Sequence, residues 1–167
     1  SKSATSAKTT LSLMKKLETD RKDIKVGVID TFTHIITDEF MSKVSEKGYE
    51  KFSQLAKGIY DILDFARESK IKWFCLAHNE YEMDQTGTKV NKVRTVGKLM
   101  DQTIDIPSLF SIVLIPDVIR EKGKEPDYGF ITQSDGTNAA KSPHGMFPFR
   151  ISNNYKLILN YIEKYEN

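Results

Sequence analysis

The chain lacks the features of several protein classes. Its 167 residues include a single cysteine, so no disulfide can form within the chain, and we interpret Cys75 as a buried thiol in a reducing compartment. No apolar run approaches the ~20 residues that a membrane-spanning helix needs, and the polar first residues are unlike a secretion signal. The sequence therefore predicts a cytoplasmic protein without membrane segments.

An excess of charge of one sign is also missing. The 25 Lys and Arg residues are nearly balanced by 23 Asp and Glu residues, giving a net charge of +2, which by itself does not indicate a nucleic-acid partner. The length predicts about one domain. Within it we assign residues 1–24 to a tail with a short helix, because Leu11, Met14 and Leu17 recur at helical spacing, and residues 25–167 to the core.

Two short apolar runs with a helical pattern between them dominate the first half of the core. Lys25–Asp30 and Ile71–Ala77 are typical of buried strands. Between them, Ser45–Lys70 carries an apolar stripe that predicts one long helix, formed by Tyr49, Phe52, Leu55, Ala56, Ile59, Leu63 and Ala66. Strand, helix and strand in this order favour a parallel strand pair.

The second half predicts a mixture of strands and irregular segments. Asn79–Val96 is polar and indicates a long loop, in which Glu80, Glu82 and Asp84 form a solvated acidic face. Leu109–Ile119 and Tyr128–Thr132 predict an antiparallel hairpin added to the same sheet. Gln133–Phe149 is irregular, and a final helix begins at about Asn153.

Polar residues that can do chemistry follow both apolar runs. An apolar strand that ends in a carboxylate, as at Asp30-Thr31, is typical of a Walker B motif, whose Asp holds the water shell of Mg²⁺; equally, such an Asp can cap the next helix. His78 is either a structural histidine or a sensor of the γ-phosphate. It is not a zinc ligand by sequence, because His34 and His144 are far away in the chain and no Cys/His cluster supports them.

The motifs of two catalytic classes are absent. The sequence has no Gly-x-Ser-x-Gly nucleophile motif and no Gly-x-x-x-x-Gly-Lys-Ser/Thr phosphate loop. The backbone amides and the lysine of such a loop supply most of the affinity for phosphate. We therefore expect the chain alone to bind ATP poorly and to hydrolyse it negligibly.

The order of these segments resembles RecA-like phage ATPases of the AAA type, which accompany recombination and single-strand-annealing genes. The resemblance rests on Val26–His34 and Phe74–Glu80, and then on Gly97-Lys98, Thr132–Gly136 and Ala140–Phe147. It extends from about Lys25 to Tyr165. No single motif is specific, but the order and spacing are shared.

The resemblance implies a fold, a cofactor and partners. The fold would be a RecA-like α/β domain of the P-loop NTPase type. Its mostly parallel sheet would carry helices on both faces and an antiparallel hairpin at one edge, without the amino-terminal phosphate-loop unit. The protein would bind ATP and Mg²⁺ and form a homo-oligomeric ring or filament with DNA, in the host cytoplasm if a phage encodes it.

The resemblance also implies roles for individual residues. Asp30 would be the Walker B carboxylate that holds Mg²⁺ through water, with Thr31 beside it, and His78 would be the sensor. Lys98 would contact the nucleotide. Lys141 would reach a phosphate in its own subunit or across a boundary, unless it is a solvated loop lysine. Pro143 stands where related hexameric helicases place an arginine, so Lys141 would act as a point charge without bidentate geometry.

Three functions remain open at this point. The first is the carboxyl-terminal portion of a DNA-recombination ATPase, with the alternative of a natural variant that has lost hydrolysis. A second possibility is a non-catalytic module that binds single-stranded DNA through Lys89, Lys92 and Arg94, near the lone aromatic Tyr81. A third is a structural or assembly protein that reuses the fold.

Overall fold

The structure is a computed structural model that describes residues 6–46, 48, 50–94 and 105–167. The chain divides into two compact units. The first comprises Ser1–Asn79 and Val93–Asp105, and the second comprises Glu80–Lys92 and Ile106–Asn167.

The first unit is built on a parallel strand pair with helices between the strands. Its elements are α1 (Ala7–Asp20), β1 (Val26–Ile29), α2 (Phe32–Ser42), α3 (Glu50–Glu68) and β2 (Lys72–Cys75). The predicted parallel pairing is confirmed, with Val26 opposite Lys72 and Ile29 opposite Cys75. The sequence predicted one helix between the strands, whereas the structure has two.

The three helices of the first unit bury one continuous apolar cluster. Met14 of α1, Phe32 and Ile36 of α2, and Leu55 and Ile59 of α3 are almost completely buried, and each such side chain contributes about 1.5–3 kcal/mol on transfer from water. Polar contacts fix the ends of α1. The backbone N–H of Ala7 donates to Glu39 at 3.1 Å, and Glu18 accepts from the N–H of Lys70 at 2.6 Å, which lowers the pKa of Glu18.

A glycine allows the two parallel strands to pack with a tryptophan over them. A Cβ atom built on Gly27 would lie 2.4 Å from the ring of Trp73, which is opposite it in the register. The indole N–H of Trp73 donates to Ser69 Oγ at 3.1 Å. The ring is therefore held over the space that only glycine leaves free.

The segment predicted to be a long loop is instead a β-hairpin. β3 (Asn79–Met83) and β4 (Lys89–Val93) pair with each other. Asp84 closes the turn by accepting from the backbone N–H groups of Thr86 and Thr88, both at 2.8 Å, and Gly87 supplies a positive φ of 81°. The loop prediction was wrong because it relied on overall polarity and missed this turn chemistry.

The second unit contains a three-stranded antiparallel sheet and a helix. Its elements are a 3₁₀ turn (Ile106–Leu109), β5 (Ile115–Ile119), β6 (Asp127–Ile131), β7 (Arg150–Ser152) and α4 (Tyr155–Glu166), with the strand order β5-β6-β7. The predicted antiparallel hairpin and the final helix are both confirmed. Asn154 caps α4 by accepting from the N–H of Lys156 at 3.0 Å.

Arg150 joins all three strands of this sheet. Its Nε donates to Asp117 of β5 at 2.6 Å and its Nη1 donates to Asp127 of β6 at 2.7 Å. These hydrogen bonds, with that to Asp117 foremost, raise the pKa of Arg150. The guanidinium lies over Gly129, where a Cβ atom would be 2.6 Å from Arg150 Cζ.

The expectation of a RecA-like, mostly parallel sheet was wrong. Among the residues that the structure describes, the parallel sheet consists of β1 and β2 alone, and the predicted hairpin β5–β6 forms a separate sheet with β7. Parallel neighbours need a crossover of a dozen or more residues. The connections 84–88 and 120–126 have five and seven residues, so their strands can pair only as hairpins.

The described ranges contain the helices α1 to α4. None of them combines the length and the apolar character that a bilayer crossing requires.

Gly27→Ala tests the packing that holds the parallel pair. We expect a loss of about 1–3 kcal/mol in the free energy of unfolding, because the added methyl group overlaps the Trp73 ring. Trp73 is the one tryptophan of the chain, so urea titration followed by its fluorescence reports this region. Val28→Ala is the matched control in the same strand, since Val28 is 57% exposed. Equal losses in the two variants would contradict the proposed role of Gly27.

Candidate functional site

The carboxyl ends of β1 and β2 form the candidate site. Leu76 joins them, because its N–H donates to the carbonyl of Ile29 at 3.0 Å and its own carbonyl accepts from the N–H of Phe32 at 2.7 Å. The residues that follow β1 and β2 are therefore held beside the first turn of α2. This edge, defined by Asp30, Thr31, Thr33, His34 and His78, is called the carboxyl edge below.

Asp30 lies directly after β1 and is exposed. It does not cap α2. The N-cap is Thr31, whose Oγ1 accepts from the N–H of His34 at 3.4 Å, and the peptide bond between Asp30 and Thr31 is cis. The helix-capping explanation of Asp30 is therefore wrong, and Thr31, assigned to cofactor binding by the resemblance, has this capping role in the structure.

His78 is exposed and is held through its backbone. Its N–H donates to Thr33 Oγ1 at 2.9 Å, and its carbonyl accepts from the N–H of Arg94 at 2.8 Å. The imidazole meets the ring of His34 edge to face, with the ring centroids 6.1 Å apart and an interplanar angle of 69°. The structure thus brings together two histidines that are distant in sequence.

Sequence reasoning missed Thr33 and His34 because it missed α2. One signal was present. Thr31 is a good N-cap residue in front of the apolar pattern Phe32, Ile35 and Ile36, which is how a helix start is recognised.

Two backbone N–H groups in the first turn of α2 are not available to bind a phosphate. The N–H of Phe32 is bonded to Leu76 and that of His34 to Thr31, so these amides of the first turn already have acceptors. An anion at the carboxyl edge would therefore be bound mainly by side chains.

The side chains of the carboxyl edge restrict which kind of metal ion could bind there. Within the described ranges, no group of three or more His, Cys, Asp or Glu residues is placed to hold one. Mg²⁺ differs from zinc in this respect, since it keeps several waters and often takes only one or two carboxylates together with substrate phosphates. The exposed Asp30 carboxylate meets this smaller requirement.

The predicted nucleotide site also included Lys98 and Lys141. Lys98 falls outside the described residues. Lys141 belongs to the second unit and is half-buried. Its backbone pairs with Val113 through bonds of 2.8 and 3.0 Å, and its Nζ donates to the carbonyl of Ser108 at 3.4 Å. It is therefore not a fully solvated loop lysine, and its contact with a phosphate stays a prediction.

The hairpin β3–β4 contains two of the three cations predicted to bind nucleic acid, Lys89 and Lys92. The Nζ of Lys89 lies 4.3 Å from the ring centroid of Tyr81. Lys92 forms ion pairs with Glu80 and Glu82. Since successive strand side chains point to opposite faces, Lys89 lies on one face of the hairpin and Lys92 lies on the other. Arg94 follows β4 and belongs to the first unit.

Comparison of the chain with models of known protein families, with curated proteins and with solved structures finds no match.

Cys75 ends β2 next to the carboxyl edge, and its thiol should be unreactive. Desolvation by burial raises its pKa to about 12, which leaves a thiolate fraction on the order of 10⁻⁴ at pH 8. We expect labelling by a disulfide reagent at pH 8 to be slow in the folded protein and fast in guanidinium chloride. Labelling at the same rate in both conditions would show that Cys75 is accessible and ionisable.

Proposed function

We propose that the carboxyl edge binds the phosphate end of ATP together with Mg²⁺. Asp30 would hold the ion through its water shell, and His78 would contact the terminal phosphate. The observation that carries the proposal is the exposed position of both side chains after neighbouring parallel strands, which is where ligands bind in open α/β arrangements.

Two further observations support this proposal. Helix capping does not explain the presence of an aspartate at position 30, because Thr31 caps α2. His78 is held by hydrogen bonds of its backbone N–H and carbonyl. Its imidazole contacts the His34 ring and is exposed, so it can contact a ligand.

Binding should be weak. The sequence contains no glycine-rich phosphate loop, and the first-turn amides of Phe32 and His34 are already bonded. A few exposed charge-assisted contacts favour a dissociation constant on the order of 1 mM, or about −4 kcal/mol. We propose no hydrolytic step, because the sequence contains no phosphate loop to hold the nucleotide for it.

The test is a titration of the chain with a slowly hydrolysed ATP analogue and Mg²⁺, followed by amide NMR shifts. We expect the largest shifts around Asp30 and His78, and a roughly tenfold weaker affinity in Asp30→Asn and in His78→Asn, because each loses a charged or directed contact. AMP, which lacks the two outer phosphates, should cause little shift at the same concentration.

Matched controls exist for both substitutions. Asp38→Asn removes an exposed carboxylate further along α2, and His144→Asn removes an exposed histidine of the second unit. Both should bind the analogue like the unchanged chain. If the controls and the site variants lose affinity equally, or if the shifts map away from Asp30 and His78, the carboxyl edge is not the nucleotide site.

A wider role in ATP-dependent DNA recombination, in a ring or filament of identical subunits, is supported by the order of motifs alone. The proposal for ATP and Mg²⁺ does not depend on it. The resemblance that suggests this role also implied the extended parallel sheet, which the described residues do not form.

A second candidate function is binding of single-stranded nucleic acid by the hairpin β3–β4. The specific observation is Tyr81, 62% exposed in the middle of β3 with the Lys89 ammonium group beside its ring. An exposed aromatic face can stack a base, and a neighbouring lysine can pair with the adjoining phosphate. Lys92 contributes less, since Glu80 and Glu82 offset its charge.

The hairpin proposal predicts different effects for two lysines of one strand. In fluorescence anisotropy with a labelled oligothymidylate, Tyr81→Ala should weaken binding by about 1–3 kcal/mol. Lys89→Met should reduce the salt dependence by about 0.7 in the log–log slope, whereas Lys92→Met should change it less. Equal effects of the two lysine variants, or affinity that is independent of salt, would contradict this interface.

A further inference from the structure

We infer that Thr33 is the residue that positions His78 at the carboxyl edge. Only the expected effect of Thr33 on nucleotide affinity rests on the proposed function. The hydroxyl of Thr33 accepts a hydrogen bond of 2.9 Å from the backbone N–H of His78, across 45 residues of sequence.

The parallel ladder does not reach His78. The paired residues end at Ile29 and Cys75, and the last bonds across the strand ends involve Leu76. Beyond that point the path of the chain is set by other contacts. For the backbone of His78 these are the Thr33 hydroxyl on one side and the N–H of Arg94 on the other.

Contacts of the neighbouring residues hold Thr33 in place. It follows Phe32, which is 1% exposed and whose N–H is bonded to Leu76, and it lies in the turn that Thr31 caps. A β-branched side chain in a helix has few rotamers. The hydrogen bond with the His78 N–H holds the Thr33 hydroxyl beside the end of β2, so the position of α2 helps to set that of His78.

His34 adds a contact from the same turn. Its ring meets that of His78 edge to face at 6.1 Å, so Thr33 fixes the backbone of His78 while His34 limits the directions open to the imidazole. A ligand that contacts both Asp30 and His78 would thus meet two groups whose relative position is set by one helical turn.

The experiment compares three variants in the full chain. Thr33→Val removes the hydroxyl at nearly constant shape, and Thr33→Ser keeps a hydroxyl. Thr37→Val is the matched control, because the Thr37 hydroxyl donates within α2 to the Thr33 carbonyl at 2.9 Å. Hydrogen exchange of the His78 amide is measured by NMR, together with the dissociation constant for the ATP analogue with Mg²⁺.

We expect Thr33→Val to speed exchange of the His78 amide by about threefold to tenfold, the range that one net hydrogen bond supports, while the amides of the β1–β2 ladder keep their rates. Affinity for the analogue should fall by a similar factor. Thr33→Ser should restore both values, and Thr37→Val should change neither.

The outcomes separate this inference from the proposed function. If the unchanged chain does not bind the analogue but Thr33→Val still exposes the His78 amide, the positioning contact stands and the nucleotide proposal fails. If the chain binds the analogue through Asp30 and His78 while Thr33→Val alters neither exchange nor affinity, the positioning role is overturned. Equal effects of Thr33→Val and Thr37→Val would also overturn it, since both would then reflect a general loosening of α2.

Discussion

The parallel pairing of β1 with β2 is the constraint on which the candidate site depends. It places Ile29 opposite Cys75, so that the residues after both strands emerge at one edge. Gly27 makes this pairing possible, because the Trp73 ring occupies the space beside its Cα atom. Asp30 and His78 are distant in sequence, and the register of two short strands brings their segments to the same place.

The first turn of α2 fixes the positions of the residues at this shared edge. Phe32 is buried in the helical core and bonds to Leu76, Thr31 caps the helix, and Thr33 holds the backbone of His78. Three successive residues thus serve packing, capping and positioning. The burial of Phe32 with the other apolar side chains of the helical core stabilises this turn more than its polar contacts do, since exposed hydrogen bonds contribute little net stability.

Connection length explains why the strands of β3–β4 and β5–β6 pair as antiparallel hairpins. Short connections allow only hairpins, and β5 and β6 are joined by seven residues. The same strand geometry has a functional consequence in β3–β4, where alternation of side chains places Lys89 and Lys92 on opposite faces. A count of cations along the sequence predicts one basic patch, whereas the hairpin presents one lysine beside Tyr81 and pairs another with Glu80 and Glu82.

The sequence by itself determined the local elements with strong patterns: the two strands of the parallel pair, the long helix α3, the hairpin β5–β6 and the helix after Asn154. It predicted both parallel strands to be buried, whereas most of their residues are half-buried and Val28 is exposed. It also placed Asp30 and His78 at strand ends, because apolar runs and the polar residues that end them are visible along the chain. Only the tertiary structure decided which strands share a sheet, that Thr31 rather than Asp30 caps α2, and that Thr33 and His34 reach His78. The physical reason is that periodicity and turn chemistry act between near neighbours, whereas sheet membership and these contacts depend on connection lengths and on the packing of residues more than forty positions apart.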